Sequence, residues 1–170
     1  YQAQFNQLRA QLKSGLSNET AIWTLLAVAF DLSSKQVNQL LKDWKSANQL
    51  IEDVQVAVKA VRGIAAHSVD AWLVYQTGDH LLSIANEVAQ KLGQSSYETV
   101  ALLDQYDALQ IHSKKALAIT GQDLMAAGIK PGPQLGQALN FLERQVVEGQ
   151  LNNQNKTLLE AAINYLNEKA

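Results

Sequence analysis

Apolar residues return every third or fourth position along nearly the whole 170-residue chain, and β-branched runs of alternating polarity are lacking. Spacing of three and four keeps side chains on one face of a helix, whereas a half-buried strand alternates with a period of about two. The pattern therefore predicts an all-α protein, a multi-helix bundle of about nine helices. Helix starts are written into the same pattern. "SSKQ" (Ser33–Gln36), "SANQ" (Ser46–Gln49) and "SSYE" (Ser95–Glu98) each place a serine three residues before Gln or Glu. Hydroxyl and side chain can then satisfy each other's free first-turn amides. "VRGIAAHS", "YQTGDH" and "KLGQSS" carry the Gly and polar residues expected of short connections.

Near Gln110 the composition shifts, which predicts two packed subdomains, residues 1–110 and residues 111–170. The first holds Trp23, Trp44 and Trp72, expected as core anchors because a buried indole covers a large apolar area. "AIWTLLAVAF" (Ala21–Phe30) reads as a buried helix, since a membrane span needs about twenty apolar residues. The second subdomain ends in two strongly patterned helices, "PQLGQALNFLERQVVEG" and "KTLLEAAINYLNEKA".

Composition narrows the function classes. The chain has no cysteine, which removes disulfides, thiolate metal sites and cysteine nucleophiles and permits a reducing compartment. It opens at Tyr1 with neither Met nor a targeting pattern, and is expected to be a piece of something longer. A net charge of −2 argues against a dedicated nucleic-acid binder, but the charges are unevenly spread. From His112 to Arg144 the cations are Lys114, Lys115, Lys130 and Arg144 against Asp123 and Glu143, a local excess of two positive charges (four minus two).

That basic stretch contains both prolines and four of the nine glycines. Thr120 of "TGQD" is placed as an N-cap with Asp123 in the first turn, where a carboxylate complements the helix dipole. Gly128 stands where a left-handed residue would stop the helix. Gly132 and Pro133 then open the next one, proline at the first position costing no hydrogen bond. The expected product is helix, tight hairpin, helix. Amides at the second helix start point outward beside Lys130, a geometry that can take a phosphate, and Gly136 leaves room for a neighbouring helix or a sugar-phosphate backbone.

The stretch "HSKKALAITGQDLMAAGIKPGPQLGQALNFLERQVVEGQLNNQNKTLL" (His112–Leu159) resembles the C-terminal part of the class II, bacterial tRNA nucleotidyltransferases, the CCA-adding enzymes. It shares their Ala-Ile-x-Gly-x-Asp-Leu start, Gly-x-x-x-Gly-Pro corner, Val-x-x-Gly helix end and Asn-containing turn. "LLKDWKSANQLIEDV" (Leu40–Val54) is similar to the family's segment in which a Trp-Lys pair and a Ser-x-Asn turn join two body helices. Ala116 departs from the acidic residue common in the family after the Lys pair, leaving that pair less neutralised. The resemblance implies a cytoplasmic parent enzyme using Mg2+ with ATP and CTP as substrates. Its N-terminal head would carry the catalytic carboxylates, a neck would select the nucleotide, and a body and tail would hold tRNA. This chain has no Asp-x-Asp, and "EDVQV" (Glu52–Val56) puts Val56 where the neck motif requires Arg. Glu52 and Asp53 read instead as exposed residues of the helix expected to be capped by Ser46. The piece resembles the body and tail alone, with no catalytic residue, cofactor or metal of its own.

Other chemistry finds little footing. Asp104 and Asp107 suit a solvated helix face, and His67, His80 and His112 lack partners at ligand spacing. The expected RNA-binding residues are Lys114, Lys115, Lys130, Gly132, Gln134 and Gly136, with Lys42 and Lys45 beside Trp44 in the body. Shape-reading of RNA uses cations and amides on phosphates. Two other readings stay open on the residues alone: a helix-hairpin-helix-like DNA-binding accessory module, and an all-α protein-interaction domain.

Overall fold

A computed structural model describes residues 15–167, so the start of the chain and the end of its last expected helix, residues 168–170, lie outside the described residues. Within them the all-α expectation holds, with eight α-helices, one 3-10 turn and no strand. The helices are α1 (Glu19–Ala29), α2 (Ser34–Asp43), α3 (Asn48–Ala65), α4 (Ala71–Lys91), α5 (Thr99–Asp107), α6 (Gly121–Ala126), α7 (Pro133–Val147) and α8 (Asn155–Asn167), with the 3-10 turn at Lys114–Ala116. The chain forms two compact units that meet in sequence at Asp107 and Ala108.

In the first unit α3 packs against α1, α2 and α4, and α4 also packs on α1 and α5. Val37 and Leu41 of α2 bury against Ile51, Val54 and Val58 of α3, with Trp23 and Leu50 at the margin. The four-residue spacing of Val37 and Leu41 and of Val54 and Val58 brings these apolar faces together. In the second unit α7 packs on α8 and on α6, around Leu124, Ala138, Leu142 and Leu158, all fully buried.

Several local expectations are corrected by tertiary contacts. The capping box at Ser33 forms, with Ser33 N donating to Gln36 Oε1 at 2.9 Å. Ser46, in contrast, caps nothing: α3 begins after Ala47. Lys45 takes a left-handed φ of 56°, and Ser46 N donates to Leu41 O at 3.0 Å, so the serine is spent ending α2. Ser95 is drawn away from α5 by the buried Asn86, whose Oδ1 accepts its hydroxyl at 2.6 Å. "YQTGDH" is no connection but lies inside α4, which breaks at Gly78, with φ 74° and ψ 161°. Only glycine occupies that region without strain. "VRGIAAHS" is mostly the last turns of α3, where Gly63 lacks the Cβ that would collide with Leu73 Cδ2. The α1 run is not buried all round, since Ile22 and Phe30 are exposed.

Candidate nucleic-acid interface

The corner is built by short-range hydrogen bonds, which is why the sequence carries it so openly. Thr120 and Asp123 form a capping box, with Thr120 N and Oγ1 both donating to Asp123 Oδ2 at 2.7 Å. Those two bonds, the side-chain one first and the backbone one second, hold the Asp123 carboxyl below the usual carboxylate range. Helix α6 then stops at Gly128, with φ 94°: Gly128 N donates to Met125 O at 2.9 Å and Ile129 N to Leu124 O at 3.1 Å. This pair of bonds satisfies the last carbonyls of so short a helix. The chain turns through Lys130 and Pro131 into Gly132, whose φ of 152° and ψ of −170° precede Pro133 at the first position of α7. No side chain caps α7.

Lys130, Gly132, Gln134 and Gly136 are all exposed, and a Cβ placed at Gly132 or Gly136 would meet nothing within 4 Å. The corner is thus an open surface along the first turn of α7. Lys114 and Lys115 sit in the 3-10 turn. The Lys114 ammonium reaches back to α7, donating to Asn140 Oδ1 and lying 3.4 Å from Glu143 Oε2. Asn140 is about 12 Å along the α7 axis from Gly132. Lys114 is therefore tied down and half-neutralised away from the helix start. Arg144 is likewise engaged by Glu148 at 2.6 Å. Lys115 and Lys130 make no ion pair or hydrogen bond among the described residues. The local positive excess rests on these two.

In the first unit Lys42 lies in the last turn of α2, and Lys45 follows the helix in the left-handed conformation. Between them Trp44 is 68% exposed, which corrects its reading as a core anchor. Its C-cap position turns it off the buried face of α2, and its ring meets Trp23 edge-on at 5.4 Å. Trp23 and Trp72 are half-buried. A groove of about 370 Å³ elsewhere in the first unit is lined by Ser34, Gln55, Lys59 and Arg62. Its cations are already committed: Lys59 Nζ donates to Gln76 Oε1 at 2.7 Å, and Arg62 Nη2 to Asp31 Oδ1 at 3.1 Å and Leu32 O at 2.9 Å.

Asp104, Asp107 and the three histidines are exposed, and no group of three or more acidic, His or Cys side chains among the described residues could hold a metal ion. Glu52 is exposed, while Asp53 accepts from Gln49 Nε2 at 2.8 Å. No described helix is long and apolar enough to cross a membrane.

Sequence reasoning missed the amides that hold this unit. Asn153 bonds Ala116 and Ala118, Asn155 bonds Ala118, and Gln110 bonds the backbone of Leu151 and Asn153. The run "NNQN" (Asn152–Asn155) was the available signal, because so many amides ahead of a helix exceed what one cap requires.

Comparison with known proteins adds the family. The tRNA nucleotidyltransferase domain 2 family matches residues 15–162. The CCA-adding enzyme of Levilactobacillus brevis is 44% identical over 161 residues, 95% of this chain and 40% of the relative. That of Lacticaseibacillus paracasei is 42% identical, over 94% of this chain and 38% of the relative. The crystal structure of the Bacillus stearothermophilus CCA-adding enzyme in complex with CTP superposes with a TM-score of 0.78 at 19% identity, covering 91% of this chain and 40% of that one. The chain thus spans about two fifths of the length of these relatives.

Proposed function

The chain belongs to the tRNA nucleotidyltransferase domain 2 family, and from that premise we propose that it is the tRNA-holding body and tail of a CCA-adding enzyme. In this reading residues 1–110 lie along the acceptor stem and residues 111–170 grip the elbow. A cytoplasmic parent, with a catalytic head and neck of its own, adds CCA from CTP and ATP with Mg2+. The observation that carries the reading is the open corner at Lys130–Gly136, where backbone and lysine can approach a phosphate without obstruction. An anchor of this kind suits an enzyme that must hold one RNA while its 3′ end changes, because phosphate contacts do not depend on the bases being added.

Lys115 and Lys130 supply the charge, with Gly132, Gln134 and Gly136 giving access to the backbone. Lys114 contributes less, because Asn140 and Glu143 already hold it. Lys42 and Lys45 flank the exposed Trp44 ring as the body's contact. The triple variant Lys114→Ala, Lys115→Ala, Lys130→Ala should weaken tRNA binding and reduce the slope of log K against log salt by roughly two, about 0.9 for each phosphate no longer neutralised by a lysine. Gel shifts at several salt concentrations, with duplex DNA as competitor at matched salt, measure both. An unchanged dissociation constant and slope, or tighter binding of the DNA, rejects the assignment.

A further inference from the structure

We propose that Asn153 is the positioning residue that fixes the Lys115 turn relative to the Lys130 corner, by pairing with the segment 116–118 as a parallel β-strand would. The consequence for RNA rests on the tRNA-holding reading above; the geometry does not. Leu117 is extended (φ −60°, ψ 133°), and along the segment Leu117 and Ile119 are buried while Ala116 and Ala118 are exposed. An extended segment with one apolar face in the core leaves a row of backbone groups along its edge that need partners. The second unit has no strand to offer among the described residues, and Asn153 takes that place.

Its Oδ1 accepts from Ala118 N at 2.8 Å, and its Nδ2 donates to Ala116 O at 2.8 Å. Donating to the carbonyl before Leu117 and accepting from the amide after it is the pattern of a residue in a parallel ladder. Asn155 extends the edge, its Nδ2 donating to Ala118 O at 3.0 Å. Gln110 holds the clasp from behind: its Oε1 accepts from Asn153 N at 3.0 Å, and its Nε2 donates to Leu151 O at 3.0 Å. One end of the clasped segment carries Lys114 and Lys115, and the other enters the Thr120–Asp123 box that opens α6. One carboxamide thereby sets where the Lys115 turn stands against the hairpin that bears Lys130. No other natural side chain of this size offers both a donor and an acceptor in one plane, except a protonated aspartate.

The absence of cysteine allows a direct test. Spin labels on Lys115→Cys and Lys130→Cys in the whole chain report the distance between the two positions without RNA. The pair should give a narrow distribution that broadens in Asn153→Ala. With Asn153→Asp it should be broad at neutral pH, where the carboxylate cannot donate to Ala116 O, and narrow again toward about pH 4 as the acid gains its proton. Asp123 stays ionised further into acid than an ordinary carboxylate, so its box is retained over most of that range. Circular dichroism at the assay temperature separates broadening from unfolding, and the acid recovery of Asn153→Asp is a signature that a general loss of packing lacks. Without labels, Asn153→Ala, with every lysine in place, should bind tRNA about fivefold more weakly, the scale of one or two missing positioning hydrogen bonds. Distributions unchanged by Asn153→Ala, or equally broad for Asn153→Asp at both pH values, overturn the inference, and broadening with no loss of tRNA affinity overturns its consequence for RNA. A wild-type chain that binds no tRNA overturns the tRNA-holding reading instead, and the label distances still decide whether Asn153 positions the turn.

Discussion

Helix α3 of the first unit buries Ile51, Val54, Ala57, Val58, Ala60, Val61 and Ile64, while α6 of the second, six residues long, buries Leu124 alone. A helix with seven residues in the core is held by apolar area, at about 25 cal/mol per Å² removed from water. A single turn and a half with one buried leucine cannot be. The second unit therefore adds hydrogen bonds to its smaller core: the Thr120–Asp123 box, the Asn153 clasp and the Lys114 tie to α7. Helix endings differ in the same direction. Asp31, Lys45 and His67 end the first three helices in left-handed conformations that non-glycine residues adopt at a cost, and Gly93 ends the fourth, whereas both such endings in the second unit, Gly128 after α6 and Gly149 after α7, are glycine. The larger core of the first unit accommodates the strain of three such endings.

The comparison can be broken most forcefully in the cores. Leu82→Ala in α4 and Leu142→Ala in α7 each remove a fully buried side chain and should each cost about 3 kcal/mol in urea denaturation. Because the second unit has the smaller core, Leu142→Ala should leave it near its unfolding threshold, while Leu82→Ala leaves the first unit folded. A Leu142→Ala loss below about 1 kcal/mol would mean that the small core repacks freely. Next come the helix endings. Gly128→Ala should destabilise by about 1 kcal/mol, and Lys45→Gly should stabilise by somewhat less, because the added glycine also loosens the unfolded chain. Thermal melts of the two variants moving in the same direction would count against the contrast. The smallest effect is acid sensitivity. Asp123 has a folded pKa below its unfolded value, so its contribution is present above the ordinary carboxylate range and lost as pH falls through the depressed value. Asp123→Asn should remove that acid-side dependence in a pH series of melts, and a profile identical to wild type would show that the box contributes nothing.

The corner was legible in the residues because its geometry is local. Thr120 meets Asp123 three positions on, Gly128 N meets Met125 O, and Pro133 follows Gly132, so residue type and spacing suffice. Serine three residues before Gln or Glu was a weaker guide. The box at Ser33 formed, but Lys45 and Ser46 were claimed by the end of α2, and Ser95 by Asn86, which lies nine residues away. "YQTGDH" misled because a glycine with polar neighbours is the mark of both a loop and a break inside a helix. Trp44 misled because periodicity assigns a face and gives no warning that the helix ends at that residue.

By itself the amino-acid sequence determined the all-α class, the hairpin at Gly128–Pro133 and the kinship carried by His112–Leu159, all of which depend on contacts within about one helical turn or on residue identity. Tertiary structure alone decided which charges remain available. Lys114 meets Asn140 across 26 positions, and Asn153 meets Gln110 across 43, so no short window of the chain contains both partners. An ammonium beside a carboxylate and one facing water are the same letter in the sequence. Only folding, by bringing distant side chains within hydrogen-bond reach, sets Lys115 and Lys130 apart from Lys114.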